Sequence, residues 1–195
     1  MIRRAVDILV SAVGLVCAAP VIAVAALAIR VESSGPVIYR QRRIGLHGRA
    51  FEVLKLRTMV DGAEHIGAGF AVDRGDARIT RVGALLRRTS VDELPNLLNV
   101  LRGEMSLIGP RPTLPHQVAA YDERQRGRLA IRPGITGWAQ VNGRTSLPWP
   151  ERIELDLHYI EHRSVELDIE ILKRTFAVLV GGDGLYKGET GGWPG

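Results

Sequence analysis

The chain has one cysteine, three lysines and ten aromatic residues among 195. A single cysteine, Cys17, excludes an intrachain disulfide and any cysteine-built metal site. It sits in an apolar run, where a buried or lipid-facing thiol is the default, and Val16 before it is bulky for a lipoprotein-type cleavage. Aromatics so few and scattered, with no recognised binding motif, argue against nucleic acid as the partner of a chain with net charge +5. With so little lysine, 23 arginines carry the positive charge. Guanidinium is a planar, two-pronged donor suited to phosphate, although a genome rich in G and C produces the same excess. Beyond Arg30 no apolar run reaches spanning length, and there is no repeat or low-complexity linker. The length fits one domain.

What the chain does have is an apolar N-terminus. From Ile8 to Ile29 it carries no charge and one hydroxyl, Ser11. Roughly 20 helical residues cross a bilayer core. A cleaved signal peptide has a shorter apolar stretch, of about 7 to 15 residues. Two forms remain open, a straight span and a hairpin entering and leaving on one side. Pro20 removes a backbone donor halfway along, which predicts a break between two arms, Ile8 to Ala18 and Val21 to Ile29. Arg3 and Arg4 flank one arm and Arg30 the other, as a hairpin anchored from the cytoplasmic side would require.

The fold class predicted is α+β, mainly helical. A re-entrant helix-break-helix anchor (1–32) precedes a compact catalytic domain (33–182) and a tail (183–195) of unassigned role. Val37 to Gln41 and Ala50 to Leu54 read as a β-hairpin about a turn at Gly45 to Gly48. Met59 to Arg78 reads as a mobile loop. Thr80 to Arg88 reads as a helix with Val82, Leu85 and Leu86 on one face. Ser90 is a candidate N-cap, with Glu93 completing a capping box. Leu94, Leu97, Leu98 and Leu101 recur at helical spacing, on a face that suits a core or a membrane surface. The Gly- and Pro-dense stretches 103–112 and 132–144 read as built loops. Helices are predicted over His116 to Arg128, Trp149 to His162 and Glu166 to Val180.

The chemistry concentrates at Asp92 and Glu93. Carboxylates at a helix N-terminus are stabilising in themselves, by about 0.3–1 kcal/mol each. The same helix end also attracts phosphate, so two readings stand: simple capping, or a nucleophile or metal ligand. Arg87 and Arg88 lie one turn earlier, where only one of two adjacent arginines faces the site. Arg111 sits between two prolines. Lys55 and Arg57 alternate with Leu54 and Leu56, which places both cations on one strand face, as if to hold an anion.

Four segments carry a resemblance: KLRTM at 55–59, RRTSVDELPNLLNVLRGEMSLIGPRP at 87–112, RPGITGWAQVNGR at 132–144 and ELDLHYIEHRSVELDIEIL at 154–172. In this order they make the chain resemble the bacterial sugar transferase family, specifically the small monotopic phosphoglycosyl transferases, from about Arg3 to Leu179. The resemblance implies a re-entrant anchor in the bacterial inner membrane with the catalytic domain on the cytoplasmic face. It implies transfer of a sugar 1-phosphate from a UDP-sugar to polyprenol phosphate, with release of UMP and with magnesium (Mg2+) present, as a first membrane step of glycan or exopolysaccharide assembly. By the same match Asp92 is the nucleophile, forms a phosphosugar intermediate and contacts the metal, and Glu93 is its partner. Lys55, Arg87 and Arg111 are the matching active-site cations. One departure is Ala19, where the family often has a serine before the helix-breaking proline. A homo-oligomer is compatible with this reading. The competing class is a non-catalytic membrane scaffold for glycan assembly, in which the dyad would be dispensable.

Overall fold

The computed structural model describes residues 2–67, 69, 75–143 and 147–181. The tail at 183–195 falls outside them, as does Arg144 at the end of the third motif. Helices dominate, beside two two-stranded sheets.

The first helix, α1 (Ile2–Glu32), contains Pro20. Helical backbone continues through Pro20, so the two expected arms belong to one helical segment. Alanines 18, 19, 23, 25 and 26 on either side are strong helix formers, so the loss of one donor does not end it. An 18-residue window has mean hydropathy 2.6 and is mostly uncovered. Val16, Val24 and Leu27 are all more than two-thirds exposed.

Both ends of α1 are nonetheless moored to the rest of the chain. Near its start, Asp7 accepts from Ser106 Oγ at 2.8 Å and from Leu107 N at 3.0 Å. Arg4 donates to the carbonyls of Val100 and Leu101, and Arg3 pairs with Asp168 at 3.1 Å. At its far end, Glu32 accepts from the amides of Arg81 and Val82 at 2.8 and 2.9 Å. Those amides open α2 (Arg81–Thr89), so a carboxylate meets the positive end of a helix. Ala25 and Ile29 share a core with Leu56 and Leu86. Of the three residues expected on the inner face of α2, Val82 and Leu86 pack there; Leu85 is 60% exposed.

The hairpin forms about the expected turn, with longer strands: β1 (Ile38–Ile44) and β2 (Ala50–Leu56) pair antiparallel. The register places Tyr39 opposite Lys55, Gln41 opposite Val53 and Arg43 opposite Phe51, all on one face. Leu54 and Leu56 are buried on the other. The next helix, α3 (Asn96–Arg102), is fastened along β2 by Asn99. Its side chain accepts from Leu54 N at 3.1 Å and donates to Glu52 O at 2.7 Å. Between hairpin and α2, the described parts of 59–78 hold a short 3-10 turn (Ala63–His65) and are pinned by buried Arg78. Its guanidinium donates to the carbonyls of Ala63, Ile66 and Gly69.

The stretches expected to be pure loops contain structure. Ser106–Ile108 (β3) and Gly134–Thr136 (β4) form a parallel pair. A Cβ on Gly134 would meet Gly109 N at 2.1 Å, and one on Gly137 would meet Gly109 O at 2.1 Å. Glycine lets the backbones approach closely enough to pair. The helix expected over 116–128 divides into α4 (Pro115–Ala119), α5 (Glu123–Arg126) and a 3-10 turn, because Asp122 and Gln125 build a capping box that starts a new helix. Then come α6 (Trp138–Val141), α7 (Trp149–Glu161) and α8 (Val165–Gly181), the last two close to their predicted bounds.

Candidate active site

The dyad lies on a 3-10 turn, Val91–Glu93, wedged between α2 and α3. The capping box expected between Ser90 and Glu93 does not form. Ser90 closes α2 in the left-handed region at φ 56°, its side chain caps nothing, and Glu93 turns toward cations instead. That tight turn is what lets two consecutive carboxylates face different surroundings.

Glu93 Oε1 accepts from Lys55 Nζ at 2.6 Å and from an Arg111 amino group at 3.1 Å. Burial works to raise its pKa, but Lys55 and Arg111 hold the carboxyl below the usual range. Lys55 is pushed down by burial and pulled back up by Glu93. Asp92 is 8% exposed, and no described residue donates a hydrogen bond to it. Burial raises its pKa to about 6, against Lys55 and with the neighbouring charge of Glu93. Arg87 lies close enough to lower that value, held by Thr58 Oγ1 at 2.8 Å from its Nε. Arg88 is exposed, so of the two adjacent arginines Arg87 is the one near Asp92.

Arg57 does not join this cluster. The chain leaves β2 at Leu56, and the Arg57 guanidinium donates to the carbonyls of Ser33 and Ser34 and to Ser33 Oγ. Its burial serves the turn that follows α1. The strand alternation that put Lys55 and Arg57 on one face ends one residue too early. Arg43 takes a place in the cluster that the sequence argument left unfilled. It lines the same small cleft as Lys55, Glu93, Asn96, Arg111 and Gly134, and burial beside Arg111 lowers its pKa to about 10. Asn96 Oδ1 is buried there with no partner among the described residues. The signal for Arg43 was the hairpin register: carried past Gln41, it sets Arg43 on the face of Lys55.

No three His, Cys, Asp or Glu side chains group as metal ligands among the described residues. Asp92 is the one dyad carboxylate not already engaged by a cation.

A profile of the family described as bacterial sugar transferase matches residues 1–182. The chain belongs to the bacterial sugar transferase family. It is 44% identical over 195 residues to a UDP-glucose:undecaprenyl-phosphate glucose-1-phosphate transferase of Caulobacter vibrioides, covering 94% of this chain and 72% of that one. It is 41% identical over 188 residues to the uncharacterized sugar transferase EpsL of Bacillus subtilis, covering 96% and 91%. The exopolysaccharide production protein ExoY of Rhizobium meliloti is 34% identical over 200 residues, covering 95% and 88%. Within this sugar transferase, Asp92, Glu93, Lys55, Arg87 and Arg111 lie together around the 91–93 turn, and Arg57 stands apart.

Proposed function

We propose that this sugar transferase is a phosphoglycosyl transferase of the undecaprenyl-phosphate type. It moves a sugar 1-phosphate from a UDP-sugar to polyprenol phosphate, through a covalent intermediate on Asp92. The observation that carries the reading is the asymmetry of the dyad: Glu93 is held by two cations, while Asp92 is buried among them and accepts no hydrogen bond from the described residues.

In the first step an Asp92 carboxylate oxygen attacks the sugar-bearing phosphorus. The P–O bond to the nucleotide's α-phosphate breaks, and UMP leaves with that oxygen. In the second step a polyprenol-phosphate oxygen attacks the same phosphorus, and the bond to Asp92 breaks. Neither nucleophile needs a strong base, since Asp92 is largely ionised at pH 7 with a pKa of about 6 and the acceptor is an anion. The chain's own work is to neutralise the diphosphate and aim it, the main requirement in phosphoryl transfer. Lys55, Arg87 and Arg111 provide that charge.

A magnesium ion fits this donor set. Mg2+ is commonly held by one or two carboxylates together with substrate phosphate oxygens, and Asp92 offers such a carboxylate. When bound there the ion would neutralise charge on the diphosphate.

We further propose that α1 enters and leaves the bilayer on the cytoplasmic side, with the domain at that surface. Support comes from its moorings: Asp7 and Glu32, near opposite ends, both bond to the same domain. A straight span would carry one of these ends across the membrane.

The test is a donor-only reaction. Enzyme incubated with magnesium and a UDP-sugar labelled in the sugar should retain label on the protein and release UMP, and Asp92→Asn should do neither. Transfer requiring both substrates together would overturn the covalent route. An Asp92→Asn protein that still sustained glycan synthesis would favour the scaffold.

A further inference from the structure

The backbone around Arg111 is held one carbonyl at a time. Pro110 O accepts from Gly134 N at 2.8 Å, and Thr113 O accepts from Ile44 N at 2.9 Å. Between them, Arg111 O accepts from an Arg128 amino group at 3.2 Å, and Pro112 O accepts from Arg43 at 3.0 Å. Four successive carbonyls therefore each have a donor. Prolines at 110 and 112 fix φ on both sides of the arginine, so little backbone freedom remains at Arg111.

The two guanidiniums in this arrangement are themselves held. Arg43 is pinned by Gln41 Oε1, which accepts from its Nε at 3.0 Å and from a second nitrogen. Arg128 is 4% exposed and pairs with Asp156, 1% exposed, at 2.6 Å. It also donates to Thr113 Oγ1 at 2.9 Å and to the Tyr121 hydroxyl. By contrast, the Arg111 side chain is 52% exposed, and among the described residues its one side-chain hydrogen bond is to Glu93. A long, half-exposed side chain gains accuracy from a fixed base.

We infer that Arg43 and Arg128 are positioning residues, which clamp the Arg111 and Pro112 carbonyls and thereby aim the Arg111 guanidinium at the substrate diphosphate. The inference rests on the proposed phosphoglycosyl transfer. Its physical warrant is that a displacement of about 1 Å in a positioning group costs on the order of 100-fold in rate, and that charge stabilisation depends on donors placed in advance.

A double-mutant cycle separates this role from a purely structural one. The full-length enzyme, in detergent or nanodiscs, is assayed for UMP release with polyprenol phosphate as acceptor. Arg43→Met should lower kcat/KM by about tenfold or more in the wild-type background, mostly through kcat. In the Arg111→Met background the same change should cost less than about twofold, because the residue being aimed is gone. Gln41→Leu keeps both charges and releases only Arg43, and should show the same coupling with a smaller loss; it serves if Arg43→Met does not fold. Arg128→Lys provides the second arm.

Equal losses in both backgrounds would overturn the inference, since Arg43 would then act on the substrate or on the fold directly. Wild-type enzyme that releases no UMP from any UDP-sugar would overturn the proposed reaction, and this inference with it. Additive losses in an active enzyme overturn this inference alone.

Discussion

Lys55 Nζ lies 2.6 Å from Glu93 Oε1, and Arg111 approaches the same oxygen at 3.1 Å. One carboxylate thus organises two cations, leaving its neighbour Asp92 surrounded by positive charge but not paired. The two acidic residues, adjacent in sequence, sit in separate electrostatic surroundings.

The first prediction concerns Glu93→Gln. Glu93 opposes the desolvation that lowers the Lys55 pKa. Without it, Lys55 gives up its proton at lower pH, so the alkaline limb of the kcat/KM profile should move downward. At neutral pH kcat/KM should fall by about 10- to 100-fold, the scale of losing a preorganised charge contact. An unmoved alkaline limb would rule out Lys55 as a cation the reaction needs.

The second follows from Asp92 directly. With its pKa raised to about 6, adduct formation should drop as pH falls through 6, rather than persisting to about 4 as for an ordinary aspartate. Following the donor half-reaction alone keeps the titration of polyprenol phosphate out of the profile.

The third is a stability effect with the same origin. A carboxyl whose folded pKa exceeds its unfolded value is no burden below about 4, where both states are protonated. The penalty grows as pH rises from there to about 6, and is complete above. Asp92→Asn should therefore raise the melting temperature at pH 7.5, by at most about 3 kcal/mol in free energy, with the gain vanishing near pH 4. Thermal unfolding at the two pH values measures it. A destabilised Asn variant at pH 7.5 would contradict the burial argument.

The fourth separates Arg57 from the cationic cluster. Arg57→Met should lower stability by about 3 kcal/mol, since buried charge-assisted hydrogen bonds to Ser33 and Ser34 are lost. The KM for UDP-sugar should stay within about twofold. A large rise in KM would return Arg57 to the substrate.

The fifth addresses the anchor. Tags placed before residue 2 and at Arg30 should both be reachable from the cytoplasm alone. A tag at the start that only an outside reagent reaches would mean a full span.

Local chemistry made much of this legible. Two short strand-like runs about the Gly45 to Gly48 turn located the hairpin, and Lys55, Arg87, Asp92, Glu93 and Arg111 lie together in the structure. What the sequence concealed depends on partners far away in the chain. Arg57 alternates with Lys55 as a strand residue should, but its strand ends at Leu56 and its side chain answers to Ser33. Ser90 and Glu93 have the spacing of a capping box, yet Lys55 offers the glutamate a stronger attraction. Gly109, Gly134 and Gly137 look like loop residues until their backbones meet across the sequence, where β3 and β4 pair. Pro20 reads as a break between two arms, and helical backbone continues through it among flanking alanines.

Ala25 and Ile29 of α1 complete the packing around Leu56 and Leu86. The long apolar helix is therefore no leash from which a finished enzyme hangs. Clipped away before residue 33, the remainder would keep every catalytic side chain and lose part of the floor beneath them. The apolar helix and the integrity of the folded body are thus bound together, and a version without that helix would have to be rebuilt, not merely released.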